Sequence, residues 1–297
     1  MKFIYNFLFM IIGLSFFSCE EDAKNITLPN ASSKISVSCF ISPDDTLLRV
    51  DLSRSKPINK YTNDNDIENL KKSLVELSDG SSSVTLKYDT GGRSKNTYYT
   101  PPIGDIKFVG STKNFQIVGG KTYNLKITSI DGNVLNASTT VPLDLNTSAS
   151  YKIFPAKEDE YSTSYPIDLQ WSDPAGQNNF YRLEVETITN RQNCYNSGPV
   201  YFQGQNNVSD ANNDGTIFTL RNERLYTGCD FTENDSIVLI LANVDVHYYK
   251  FHYHLANFYG DDPFSEPAQM YSNIQGGLGA FGSYRVHRKK MPLVISQ

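Results

Sequence analysis

Among 297 residues there are only four cysteines, four histidines and one tryptophan. No C-x-x-C pair occurs, and neither Cys194 nor Cys229 has a histidine beside it in sequence, so zinc and thiol-nucleophile chemistry lack a sequence basis. H-E-x-x-H and G-x-S-x-G are also absent. Aspartates and glutamates are numerous, yet no spacing singles out an acid and a base, and no enzyme is expected. An excess of positive charge is missing as well. The formal net charge is -5, and Arg288, Lys289 and Lys290 are the one basic cluster, too small to track a phosphate backbone. Nucleic acid is therefore not an expected partner.

What the chain does have is aromatic residues. Tyr 19 and Phe 17, within a hydrophobic fraction of 39%, favour strands over helices, and the length suffices for two ordinary domains. At the N-terminus, Lys2 precedes the apolar run FLFMIIGLSFF (7–17), then Ser18 and Cys19. This reads as a secretory signal, residues 1–18, too short for an ordinary membrane span. FFSC resembles a bacterial lipobox with Phe16 where leucine is usual, so Cys19 is expected to become the first mature residue and carry acyl chains. An ordinary secreted protein whose Cys19 is removed or disulfide-bonded is the alternative. Glu20, Glu21 and Asp22 follow at once, and residues 19–33 read as an acidic flexible tether.

From Lys34 the hydrophobic pattern alternates with period two. ISVSCFI (35–41), TLLRVDLSRS (46–55), SLVELSD (73–79), SVTLKYD (83–89), FQIVGGKTYNLKITS (115–129) and VLNASTTVP (134–142) are bounded by turn residues. They predict an N-terminal β-sandwich over 34–143. A connector follows over 144–165, with one strand at YKIFPA. IDLQWSDPAG, YRLEVETI, PVYFQ, TIFTL and SIVLILANV then predict a C-terminal fibronectin-III-like β domain over 166–297, with Trp171 as core anchor and SIVLILANV central. The fold expectation is mostly β: two tandem immunoglobulin/fibronectin-III-like sandwiches, the second with a short helix. DVHYYKFHYHLANFY (245–259) fits either period. At helical spacing Tyr248, Phe251, His252, Leu255, Phe258 and Tyr259 make one stripe, with Asp245 as N-cap and Gly260 as stop.

Three local features invite a chemical reading. Gly277, Gly279 and Gly282 match G-x-G-x-x-G, but only fifteen residues remain, none acidic, and no Gly-Lys-Ser/Thr ending follows. No nucleotide is expected. Gly276, Gly277, Gly279 and Gly282 are instead expected to let an irregular segment thread beside the second sandwich, with Phe281 inward. His247, Lys250, His252 and His254 crowd one region, where ordinary packed or surface histidines are the expectation. Asp210, Asn212, Asp214 and Gly215 fit positions one, three, five and six of a calcium loop, and Ile217 fits the eighth, but Arg221 stands where the bidentate glutamate belongs. A turn-rich exposed loop is the expectation, with no metal and no cofactor assigned. Cys194 and Cys229, 35 positions apart, are candidates for a disulfide, and Cys39 for a buried apolar residue.

TLLRVDLSRSKPI, KTYNLKITSIDGNVLNASTTVP, WSDPAGQNNFYRLEVE, DSIVLILANVD and FSEPAQMYSNIQGGLGAFGSY, in this order, resemble the DUF4249 family of Bacteroidota outer-membrane lipoproteins across almost the whole mature chain. The region 190–230 has no matching landmark. The resemblance implies a lipid anchor in the outer membrane. It makes Glu20, Glu21 and Asp22 similar to the signal that sends Bacteroidota lipoproteins to the cell exterior. It further implies a non-catalytic role as accessory or partner of a TonB-dependent receptor. The alternative is an independent surface module binding glycans or peptides.

Overall fold

The structure, a computed structural model, describes residues 33–55, 68–90, 106–145, 149–158, 163–189, 191, 206–226, 230–232, 234–258 and 270–295. The first half carries β1 (Ile35–Ile41), β2 (Leu47–Arg54), β3 (Leu74–Ser78), β4 (Ser83–Tyr88), β5 (Ile106–Ser111), β6 (Thr122–Thr128) and β7 (Val134–Thr140). The second carries β8 (Ser150–Ile153), β9 (Lys157–Glu158), β10 (Thr163–Ser172), β11 (Phe180–Ile188), β12 (Asn207–Ser209), β13 (Ile217–Tyr226), β14 (Ser236–Val244), helix α1 (Val246–Ala256) and β15 (Leu278–Pro292). The protein is thus mostly β, with two sheets and a helix.

Alternation explains the strands. In β6, Tyr123, Leu125 and Ile127 are buried while Thr122, Asn124 and Lys126 face outward, so one face joins the core and the other meets solvent. β14 is buried along nearly its entire length, and it lies between β11 and β15, where both of its edges are paired. Two details differ from the sequence pattern. The strand expected from residue 115 begins only at Thr122, because Gly120 takes a positive φ of 79° and its N–H bonds the Val141 carbonyl at 2.8 Å. β5, which pairs with both β2 and β4, carries only a short alternation and was not foreseen.

One eleven-stranded sheet runs β12-β11-β14-β15-β1-β2-β5-β4-β3-β6-β7, and a smaller sheet runs β13-β10-β8 with β9 paired to β10. β15 joins the halves by changing partner along its length. Leu278–Ser283 lie parallel to β1, and Tyr284–Pro292 antiparallel to β14. The hydrophobic interior has two clusters accordingly. Phe108, Tyr123, Leu52, Leu77 and Ile106 anchor the first; Trp171, Tyr181, Leu183, Leu225 and Ile237 anchor the second. Trp171 stacks on Phe218 at 5.1 Å and meets Tyr181 edge-on at 5.4 Å.

The placement of the glycine-rich ending is corrected here. It is not an irregular segment beside the second core: from Leu278 it is regular β15, and fully buried Phe281 packs into the first core. Gly279, at φ +96°, lies so close to β1 that a Cβ would sit 2.0 Å from the Val37 carbonyl oxygen. Gly282 lets the strand pass the start of α1, where a Cβ would meet the Tyr248 nitrogen at 2.8 Å. Gly276 abuts the Val134 carbonyl, and Gly277 the Leu135 side chain and Ile35 carbonyl.

α1 begins where Asp245 accepts from the Tyr248 N–H at 2.8 Å, the N-cap expected. Phe251 and His252 are its buried residues, whereas Leu255 and Phe258 are exposed, so the expected stripe turns inward only at its centre. The helix ends at Asn257, whose N–H bonds the Tyr253 carbonyl at 3.2 Å. Gly260 lies outside the described residues.

Candidate functional site

The outward face of β3, β6 and β7 carries two polar rows set by strand register. Ser83, Ser78, Asn124 and Ser138 stand opposite one another across four strands, and Glu76, Lys126 and Asn136 form the next row. Gln275 extends the second row, pairing with Asn136 through backbone bonds of 2.8 and 3.2 Å. The side-chain amide of Asn273 donates to the Phe281 carbonyl at 2.8 Å and accepts from the Phe281 N–H at 3.0 Å, which holds the 273–275 wall against β15. His247 of α1 completes the rim. The result is an open groove of about 510 Å³ whose lining includes four carboxamides and three serine hydroxyls. This size is that of small-ligand clefts. Amides and hydroxyls supply both donors and acceptors, a set suited to sugar hydroxyls or peptide backbone.

Asp245 fixes one end of this region. Its carboxylate accepts from the N–H groups of Tyr248 (2.8 Å) and Ser283 (3.1 Å) and from the Thr139 hydroxyl. Its own N–H donates to the Ser283 carbonyl at 2.9 Å. One buried side chain thereby ties β7, α1 and β15 together. Burial pushes the Asp245 carboxyl above the usual carboxylate range, against the lowering effect of these hydrogen bonds.

The histidines do not converge. His247 Nδ1 pairs with the Tyr271 hydroxyl at 2.6 Å, and buried His252 donates from Nδ1 to the Tyr248 carbonyl at 3.0 Å. Burial, then the Arg182 charge, pushes His252 down to about 3. His254 packs edge-on to Tyr271. Cys39 is buried with a free thiol, which burial, then nearby Asp51 and Asp45, push far above its ordinary value.

The Asp210 loop takes a different form from a helix-flanked calcium loop. It joins strands β12 and β13, Ile217 is exposed, and Arg221 forms an ion pair with Asp168 at 3.3 Å. Asn212 sits on the exposed turn. Asp210 and Asp214 do come together, and their companion is Asp173 from the β10–β11 turn, with one carboxylate oxygen from each within 4.8 Å of the others. The sequence showed Asp173 only as the first residue of a D-P-A-G turn; nothing in its spacing linked it to a loop some forty residues on. Cys19, Glu20, Glu21, Asp22, Cys194 and Cys229 lie outside the described residues. Among the described residues no helix is long and apolar enough to cross a membrane.

Fold and groove together define a mostly β protein that presents a polar sheet face. The chain matches the family described as Domain of unknown function (DUF4249) over residues 21–290, nearly its full length, and it belongs to that family. No curated protein matches it.

Proposed function

We propose that the protein is a lipid-anchored outer-membrane lipoprotein of Bacteroidota, facing the cell exterior, and that it acts without catalysis as accessory or partner of a TonB-dependent receptor or transport system. The observation that carries this reading is FFSC followed directly by Glu20, Glu21 and Asp22. In it, acylated Cys19 holds the chain on the membrane, residues 19–33 supply reach, and the two β regions, read as immunoglobulin/fibronectin-III-like sandwiches, form the body that meets the receptor. Support for a contact surface comes from Tyr253, Leu255 and Phe258, which expose large apolar side chains on and just after α1. The test is gentle-detergent co-purification of the native protein from outer membranes, with Cys19→Ala as control. A receptor of the TonB-dependent class should co-purify, and Cys19→Ala should leave the membrane fraction. Recovery of no outer-membrane receptor would count heavily against the reading.

The polar groove favours a second reading, an independent surface glycan- or peptide-binding module. Its lining by Asn124, Asn136, Asn273 and Gln275 is the supporting observation. Oligosaccharide binding by the purified full chain, lost on Asn124→Ala, would select this reading over receptor partnership.

A further inference from the structure

Two turns at one end of the second half interlock through aspartates. The Gly176 N–H donates to both oxygens of Asp214, at 2.9 and 3.1 Å, while the Gly215 N–H donates to Asp173 Oδ2 at 2.8 Å. Asp173 Oδ1 accepts from the Asn179 side-chain amide at 3.1 Å and from the Tyr181 hydroxyl. Asp210 Oδ2 accepts from the Asn179 N–H at 2.7 Å.

These bonds leave two debts. Among the described residues no Lys, Arg or His forms an ion pair with Asp173, Asp210 or Asp214. Three carboxylates at such range repel one another strongly without a cation. Furthermore, Asp210 is only 1% exposed, and its Oδ1 is buried with no hydrogen-bond partner. A bare anionic oxygen out of water is costly unless something coordinates it.

We propose that Asp173, Asp210 and Asp214 form a divalent-cation site, selective for calcium, that pins the β10–β11 turn to the β12–β13 loop. The donors are all hard oxygens, which disfavours zinc and copper relative to calcium or magnesium. With every oxygen separation at or below 4.8 Å the trio falls within the span of a Ca²⁺ shell, and carboxylates brought from two separate turns suit Ca²⁺, which accepts irregular geometry, better than Mg²⁺, which demands a near-ideal octahedron. With two buried ligands and one exposed ligand, Asp214, the site resembles the weaker sites of extracellular modules, and half-saturation is expected at about 0.1 to 1 mM. The site owes nothing to the receptor reading and stands or falls separately.

The test uses the full-length protein in detergent, stripped with a chelator and titrated with CaCl2, MgCl2 or ZnCl2. One Ca²⁺ per chain and a rise in Tm with CaCl2 are expected, with a weaker response to MgCl2. Asp210→Asn and Asp214→Asn should each weaken Ca²⁺ binding by about tenfold or more. Exposed Asp214 carries the test if Asp210→Asn fails to fold. Absence of Ca²⁺ binding up to 5 mM, an equal response to Mg²⁺, or unchanged affinity in Asp214→Asn would overturn the proposal.

Discussion

His252 lies among Phe40, Tyr248 and Phe251, with ring centroids 4.9, 4.0 and 5.5 Å away. It is held neutral: burial and the Arg182 charge push it down to about 3, against about 6.5 in an unfolded chain. A folded-state value below the unfolded one contributes stability above pH 6.5 that is lost as pH falls from there toward 3, because only the unfolded chain takes up the proton. Asp45 works in the opposite sense. Burial raises it to about 6, despite the bond from the Tyr284 hydroxyl, so it adds stability as pH falls from about 6 toward 4. The prediction at this scale is that His252→Phe flattens the acid-induced loss, keeping about 2 kcal/mol at pH 5 that the parent protein loses relative to pH 7. Chemical denaturation at the two pH values measures it, and equal pH dependence in both proteins would refute it.

At the scale of elements, β15 depends on a position where no side chain fits. Gly279 brings its backbone against the Val37 carbonyl, and the left-handed φ adds strain for any other residue. Gly279→Ala is therefore expected to cost about 3 kcal/mol or more, through separation of β15 from β1, whereas Gly80→Ala, at φ +86° with open space around it, should cost only about 1 kcal/mol. Thermal unfolding of the two variants compares them directly. Only part of this region was legible: Phe281 as an inward residue and the capping of α1 by Asp245 show in the sequence, whereas the glycine run pointed to an irregular segment and not to a strand. The partner strand was not, because a parallel pairing between residues 36–41 and 278–283 leaves no local pattern at either end. β5 was hidden for a related reason: its short alternation acquires meaning only between β2 and β4. The acidic trio divides the same way. Asp210 and Asp214 stood out as a loop, while Asp173 joined them only through the approach of two turns.

For the whole molecule, the shared strand couples two hydrophobic clusters. Ala280 and Phe281 are buried at one end of β15, and Met291 packs against the second cluster at the other. Releasing β15 would uncover both, so the halves are expected to unfold in one cooperative transition. Trp171, the single tryptophan, reports on the second core, and amide hydrogen exchange in β2 and β6 reports on the first. Coincident midpoints in denaturant are expected; two separate transitions would show that β15 is a surface strap rather than a shared core strand. Period-two hydrophobicity by itself determined the β class and the inward faces of most strands, and an aspartate ahead of a helically spaced aromatic stripe marked the cap at Asp245, because those depend on neighbours within a few residues. Tertiary structure alone decided that the C-terminal strand serves both halves, that Gly279 must be bare against Val37, and that Asp173 meets Asp210 and Asp214. Each of these is a contact between segments far apart in the chain, where pairing depends on the shape the intervening residues adopt and not on their local pattern.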